Sequence, residues 1–163
     1  MIFLTVGWQL PFDRLVSAVD AWAAGHPEQE IFGQILNRGA HCYVPRHFEH
    51  VAQLPPGAFA EKCQRATLLV GHAGTGTLIT AMTYQKPLVM MPRRAKLGEH
   101  RYDHQLATAS RFADISGVTV VEDSAELAAA LDHAINTEMI GVHAPPEADA
   151  DLIATIRTVI IQR

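Results

Sequence analysis

A glycine- and threonine-rich turn follows an apolar run in the middle of the chain. Residues 71–77 read GHAGTGT and precede a predicted helix. Gly74 and Gly76 would let backbone N–H groups approach a ligand, and the helix N-terminus would favour negative charge there, as in phosphate and pyrophosphate sites. The side chains that add donors are His72, Thr75 and Thr77. The turn matches neither a Walker A loop nor GxGxxG, and a plain strand-to-helix turn with Thr75 as its N-cap has the same pattern.

Charged side chains crowd a second predicted loop, residues 92–104. Its cations could neutralise a diphosphate or an anionic lipid surface, or could simply be solvated: Arg93, Arg94, Lys96 and Arg101. Glu99 and Asp103 lie among them. His100 and His104 are four residues apart, which is metal-ligand spacing on a helix, but one such pair supplies only two ligands. We therefore expect no metal, and interpret the pair as a polar helix start facing a cleft.

Alternating strand and helix patterns must position these loops. Strands are predicted over residues 2–6, 31–36, 41–44, 67–71, 87–91 and 118–121. Helices are predicted over residues 12–22, 55–66, 75–84, 100–111, 124–135 and 149–161. Ligands of such folds bind beyond the carboxyl ends of the strands, where residues 7–9 also lie. The sequence predicts one α/β domain over residues 1–163, Rossmann-like, with a mainly parallel sheet and helices on both faces.

Composition excludes several classes of protein. Of the 163 residues 48% are hydrophobic and 18% charged, which excludes intrinsic disorder. The net charge of −4 argues against nucleic acid as a partner. The apolar runs are far too short to span a bilayer, and MIFLTVGWQ has no basic region of a signal peptide. Two cysteines without a CxxC pattern favour the cytoplasm.

Four segments carry a family resemblance: TVGWQLPFDRLVSAVD (5–20), VGHAGTGTLITAM (70–82), KPLVMMPR (86–93) and GEHRYDHQLATA (98–109). Together they resemble the family 28 glycosyltransferase C-terminal domain. The chain is most similar to short, free-standing members: the cytosolic subunit of the two-chain UDP-N-acetylglucosamine transferase of dolichol-linked glycan assembly, and the small subunits of bacterial exopolysaccharide transferases.

The resemblance implies the donor-binding, C-terminal half of a GT-B glycosyltransferase. It implies an inverting hexosyl transfer from a UDP-sugar without metal or other cofactor, with UDP-N-acetylglucosamine or UDP-glucuronic acid as donor. A membrane-associated partner subunit would supply the acceptor half and a polyprenyl- or dolichol-diphosphate-linked acceptor. The chain would then be cytoplasmic and peripheral at the membrane through this partner, in exopolysaccharide or lipid-linked glycan synthesis.

The resemblance also implies roles for individual residues. The diphosphate would be held by His72, Gly74, Thr75, Gly76 and Thr77, of which His72 and Thr75 are the catalytic candidates. Other substrate contacts would come from Gly7, Trp8, Gln9, Arg93, Glu99, Asp103, His104 and Gln105. Thr80 stands where the family usually has a glutamate for the ribose hydroxyls, and Trp8 where a small hydroxyl residue is usual. Arg93, Arg94 or Arg101 could select a uronate carboxylate, which arginine matches bidentately.

Alternatives remain open at this level. A nucleotide-sugar-binding or scaffolding subunit without turnover would show the same turn, and Thr80 favours it. A UDP-sugar epimerase relative would need both GT-B halves in a longer chain. The predicted helix over residues 149–161 is apolar enough to dock a partner or a second copy of the chain, or to close the sheet edge.

Overall fold

The computed structural model describes residues 1–36 and 42–143. Its strands are β1 (Ile2–Thr5), β2 (Ile31–Gln34), β3 (Glu49–Val51), β4 (Leu68–His72), β5 (Leu88–Met91) and β6 (Val118–Val120). Its α-helices are α1 (Asp13–Ala23), α2 (Pro56–Arg65), α3 (Thr75–Tyr84), α4 (His104–Phe112) and α5 (Ser124–Asn136). A 3₁₀ turn, Ala95–Leu97, lies between β5 and α4.

The six strands form one parallel sheet in the order β3-β2-β1-β4-β5-β6. The fold class expected from the alternating pattern is therefore confirmed. After β1 the next strands are added on one side of the sheet, and after β4 they are added on the other. A crevice therefore opens between the β1 and β4 loops, beyond the carboxyl ends of these two strands. Thr5 pairs with Gly71 and His72 with Met91 in the register, so the ends of β1, β4 and β5 lie level with one another.

Alternate strand residues fill two hydrophobic cores, one on each face of the sheet. Ile2 and Leu4 pack with α1 and α5, whereas Phe3 between them points to the face covered by α2, α3 and α4. This alternation follows from the two-residue period of a strand, and it explains why consecutive positions of the central strands β1, β4 and β5 are apolar. The sheet is therefore a rigid platform for the loops at its carboxyl edge.

The third strand differs from the prediction. Residues 42–44 form no strand, and β3 is instead Glu49–Val51, a short polar edge strand without an apolar signature. The Tyr43 hydroxyl donates to the buried Asp20 carboxylate at 2.8 Å, so this apolar-looking segment is tied to α1. His41 and the predicted helix over residues 149–161 lie outside the described residues.

Helix α4 begins later than expected, at His104, with Asp103 as its N-cap. His100 therefore precedes the helix, although its ring still contacts that of His104 edge to face at 4.4 Å between centroids. Among the helices that the structure describes, none is both long and apolar enough for a membrane crossing.

Candidate functional site

A cleft of about 400 Å³ lies at the carboxyl edge of the sheet, where the β1–α1, β4–α3 and β5–α4 loops meet. Most residues singled out from the sequence line it: Gly7, Trp8, Gln9, His72, Gly74, Thr75, Gly76, Thr77, Thr80, Arg93, His100, His104 and Gln105. Five do not: Arg94, Lys96, Glu99, Arg101 and Asp103. The topology therefore brings three separate sequence motifs to one place.

The N-terminus of α3 opens into this cleft without a side-chain cap. Gly74 is the N-cap, so Thr75 is the first helical residue and not the cap. The first N–H groups of any helix have no partner inside the helix. At α5 the Asp123 carboxylate accepts from the N–H groups of Ala125 and Glu126, but no side chain does this at α3. The Thr77 N–H donates to the Gly74 carbonyl at 3.0 Å, but the N–H groups of Thr75 and Gly76 have no acceptor among the described residues and can hold an anion.

His72 lies beside that helix end, enclosed by two glycines. Its Nδ1 is 3.2 Å from the Thr77 hydroxyl, and the backbone of Thr5 also hydrogen-bonds the ring. A Cβ on Gly74 would lie 2.4 Å from Nε2, and one on Gly7 would lie 3.0 Å from Cε1. Gly7 also has a φ of +80°, a region that suits glycine. Both glycines are therefore required by the position of the imidazole.

Burial, and secondly the positive charge of Arg93, lower the pKa of His72 to about 4. The imidazole is therefore neutral near pH 7, with one ring N–H to donate and no charge of its own. Burial also lowers the pKa of His100, and the nearby His104 and Arg93 lower it further. Arg93 and the end of α3 thus give the cleft a positive potential to which His72 adds no charge.

Arg93 is buried, with 2% of its surface exposed, although it borders the cleft. Both of its terminal nitrogens donate to main-chain carbonyls, of Val6, Leu10, Pro11 and Glu99. This corrects the expectation that Arg93 selects a uronate carboxylate, because neither terminal nitrogen remains for a bidentate pair. Arg94 forms an ion pair with Glu122 at 2.7 Å. Arg101 is exposed and has no carboxylate partner among the described residues, so it is the one of the three arginines that can still bind a carboxylate.

Glu99 and Asp103 have their carboxylates turned to other partners. Glu99 accepts from Arg14 at 2.6 and 2.9 Å and from the backbone N–H of Arg94. Asp103 accepts from the backbone N–H of Ala95 at 2.7 Å. In this geometry both carboxylates hold the β5–α4 loop in shape, and their role as substrate contacts stays a prediction.

Gln105 and Thr80 line the cleft with part of their polar groups occupied. The Gln105 Oε1 accepts from the backbone N–H of Arg93 at 3.0 Å, and its side chain is buried. The Thr80 hydroxyl donates to the Gly76 carbonyl of its own helix at 2.8 Å. Each side chain can still form a hydrogen bond to a ligand in the cleft: Gln105 can donate from its amide nitrogen, and Thr80 can accept at its hydroxyl oxygen.

Several lining residues were missed by the sequence reasoning: Thr5, Val6, Leu10, Gln34 and Phe59. Gln34 is the last residue of β2, so the rule that ligands bind beyond strand ends could have identified it. Phe59 comes from α2, and no local pattern marks it. In residues 1–36 and 42–143, no three metal-ligating side chains come together.

Comparisons with solved structures agree on the fold. The glycotransferase of kitacinnamycin aligns with a TM-score of 0.64 and 16% identity over 83% of this chain and 35% of that one. MurG of Acinetobacter baumannii aligns at 0.59 and 21% identity, over 83% and 41%. The solution structure of ALG13 aligns at 0.62 and 15% identity, over 95% and 93%. The chain thus spans about two fifths or less of the first two proteins and nearly all of the third.

No curated protein sequence matches the chain. A family model does: residues 1–148 match the glycosyltransferase family 28 C-terminal domain. The match includes every loop of the cleft and nearly all of the chain. The protein therefore belongs to the family of glycosyltransferase family 28 C-terminal domains.

Proposed function

We propose that this chain is the donor-binding, catalytic subunit of a two-component inverting glycosyltransferase that uses a UDP-sugar. The observation that carries the proposal is the uncapped N-terminus of α3, which faces a cleft of about 400 Å³ beside the neutral imidazole of His72. When the sugar leaves, negative charge develops on the diphosphate, and preorganised donors stabilise such charge best when they need no reorganisation.

The charge balance beneath the cleft supports this reading. Arg93 and Arg14 share one carboxylate, Glu99, which Arg14 contacts directly. Burial lowers the pKa of Arg93 to about 10, so the guanidinium stays charged near neutral pH. One positive charge is thus left without a close counter-ion. This charge attracts an anion to the cleft, and the same charge disfavours the imidazolium form of His72.

The acceptor side of the reaction would come from a partner. The lining of the cleft, as far as the structure describes it, contains no aspartate or glutamate, so a carboxylate general base is missing from it. The likeness to ALG13, which extends over 93% of that chain, supports a role as one half of a GT-B pair. We place the partner at the membrane, where it would bind a polyprenyl- or dolichol-diphosphate-linked acceptor for exopolysaccharide or lipid-linked glycan synthesis.

The donor sugar would be N-acetylglucosamine or glucuronic acid. Since Arg93 and Arg94 are engaged, a uronate carboxylate would have to be read by Arg101. Replacing Arg101 by glutamine should then reduce use of UDP-glucuronic acid and leave use of UDP-N-acetylglucosamine unchanged. An unchanged donor preference would exclude the uronate assignment.

Calorimetric titration with UDP, GDP, ADP and NAD tests the nucleotide site. We expect UDP to bind in preference to the others, and His72→Phe, which keeps a ring but has no N–H donor, to weaken that binding about 10-fold, the effect of one lost hydrogen bond to a charged group. His133→Phe, on the exposed surface of α5, is the control and should bind as the parent chain does. Equal binding of all four nucleotides, or none, would contradict the proposal.

A second candidate, a nucleotide-sugar-binding subunit without turnover, is favoured by Thr80, whose hydroxyl is bonded to its own helix. Reconstitution with the membrane partner separates the two candidates. Transfer that survives both His72→Phe and Thr75→Ala would assign catalysis to the partner, whereas its loss in folded variants would assign it to this chain.

A further inference from the structure

One lip of the cleft, residues 7–10, has little regular structure of its own. Its backbone N–H groups make one weak bond among those described, from Gly7 to the Thr5 hydroxyl at 3.4 Å. Trp8 at its centre is 68% exposed, so packing does not hold it. Gly7 adds a left-handed turn at the end of β1. Something outside the lip must therefore fix its shape.

Arg93 supplies that constraint from across the cleft. Its Nη2 donates to the carbonyls of Val6 at 2.9 Å and Leu10 at 2.7 Å, and its Nη1 donates to the carbonyl of Pro11. These three carbonyls bracket the lip on both sides. The guanidinium also lies over the ring of the fully buried Phe12, 4.6 Å from its centroid. A single side chain thus closes the loop between β1 and α1.

The same residue is joined to the opposite lip, formed by the loop that precedes α4. Its Nη1 reaches the Glu99 carbonyl at 3.4 Å, and its backbone N–H donates to Gln105 at 3.0 Å. Gln105 is buried in the first turn of α4, directly after His104. The two lips are therefore connected through one buried residue at the end of β5.

We infer that Arg93 is the positioning residue of the nucleotide site, whose planar guanidinium presets the distance between the two lips through bonds to four main-chain carbonyls. This inference rests on the proposed function, because it assigns to Arg93 the shape of a site that binds a nucleoside diphosphate. Arg93 thus acts through residues 7–10 and α4, and not through the direct contact with substrate that the sequence suggested.

The fork of an arginine is required for this role. Lysine carries the same charge, but its ammonium group is a compact point with three donors and cannot reach carbonyls on both sides of a loop in one plane. Arg93→Lys therefore keeps the charge beneath the cleft and removes the geometry. A structural control is Arg14→Lys. The Arg14 guanidinium is likewise largely buried and bonds Glu99 and the Pro92 carbonyl, but it makes no bond to residues 7–10.

Two readouts on these variants test the inference. The chain has two tryptophans, Trp8 in the lip and Trp22 in the core, so 5-fluorotryptophan labelling reports each one separately by ¹⁹F NMR. We expect Arg93→Lys to shift or broaden the Trp8 resonance, leave Trp22 in place and weaken UDP binding about 10- to 100-fold. Arg14→Lys should lower stability to urea while keeping both resonances in place, because Arg14 makes no bond to residues 7–10.

The outcomes separate the inference from the proposed function. If the parent chain binds UDP and Arg93→Lys binds it equally with an unmoved Trp8 resonance, the positioning role is refuted and the function stands. If both arginine variants move Trp8 and Trp22 alike, Arg93 is merely structural and the inference also fails. If the parent chain binds no nucleotide, the proposed function fails, while the Trp8 resonance still reports whether Arg93 shapes the lip.

Discussion

Adding one methyl group at either of two glycines should change the stability of this protein in opposite directions. Gly74 has an extended backbone, with φ −103° and ψ 147°, which alanine adopts without strain. The cost arises only from His72, whose Nε2 would lie 2.4 Å and Cδ2 2.8 Å from the new Cβ. At Gly76, two residues later, a Cβ would meet nothing within 4 Å. The two substitutions are therefore a matched pair.

The magnitudes follow from the surroundings of the imidazole. Real Cβ contacts begin near 3.0 Å, so the His72 ring must retreat by at least about 0.6 Å against Thr77 and Gly7. Such overpacking costs about 1–3 kcal/mol. Gly76→Ala instead lies in the first turn of α3, where replacing glycine stabilises by about 0.4–1 kcal/mol through the unfolded chain. The two variants should differ by about 1.4–4 kcal/mol.

Urea unfolding of both variants measures this difference directly. Unchanged m-values would show that the midpoints report stability and not a change in the compactness of the unfolded chain. In Gly74→Ala the displaced imidazole should also weaken UDP binding about 10- to 100-fold, as expected for a misplaced contact group. If Gly74→Ala is as stable as Gly76→Ala, the imidazole does not pack against Gly74 and the geometry of the site is refuted.

Three further predictions concern single side chains. Thr80→Glu should strengthen UDP binding, measured by calorimetry, because it provides the carboxylate acceptor for the ribose that the resemblance leads us to expect. Thr83→Glu is the control and should not, since Thr83 also bonds a carbonyl of α3 but lies outside the cleft lining. Equal effects of the two substitutions would remove Thr80 from the site. The pKa of His72, about 4 in the free chain, should rise when UDP binds, because a nearby anion favours the imidazolium; an unchanged NMR titration in saturating UDP would place the diphosphate elsewhere. Burial raises the pKa of Asp20, but hydrogen bonds from the His47 backbone and other donors lower it by more, so the net pKa lies below the ordinary value of 3.8. The ionised carboxylate therefore stabilises the fold fully above that value, and this contribution is lost as the pH falls below it. The difference in unfolding free energy between the parent chain and Asp20→Asn should shrink between about pH 5 and 2, and a constant difference would contradict this.

Most of the fold could be predicted from local patterns, because buried parallel strands are apolar throughout and helices show one apolar face. Residues 87–91 and 118–121 were expected as strands on that basis, and β5 and β6 lie there. β3 could not be found in this way, since an exposed edge strand of Glu49, His50 and Val51 has no reason to be apolar. Residues 42–44 looked more like a strand, but their conformation is set by the distant Asp20.

The candidate site also contains a part that the sequence predicts and a part that it does not. The turn with His72 and Gly74 is contiguous in the sequence, so its geometry could be anticipated from strand, turn and helix alone. The direction of a charged side chain depends on tertiary partners instead. Arg93 points inward to carbonyls that are more than 80 residues away in the chain, and Glu99 turns to Arg14, which is 85 residues away. Spacing in the sequence contains no information on either contact.

The central claim is that a nucleoside diphosphate binds at the N-terminus of α3. Mapping amide and imidazole chemical shifts during a titration with UDP tests it most directly. The account predicts that the largest changes fall on the Thr75 and Gly76 amides and the His72 ring, while Gln29 and Ala66, near the opposite edge of the sheet, stay unchanged. Shift changes that spare Thr75 and Gly76 and cluster elsewhere would contradict it.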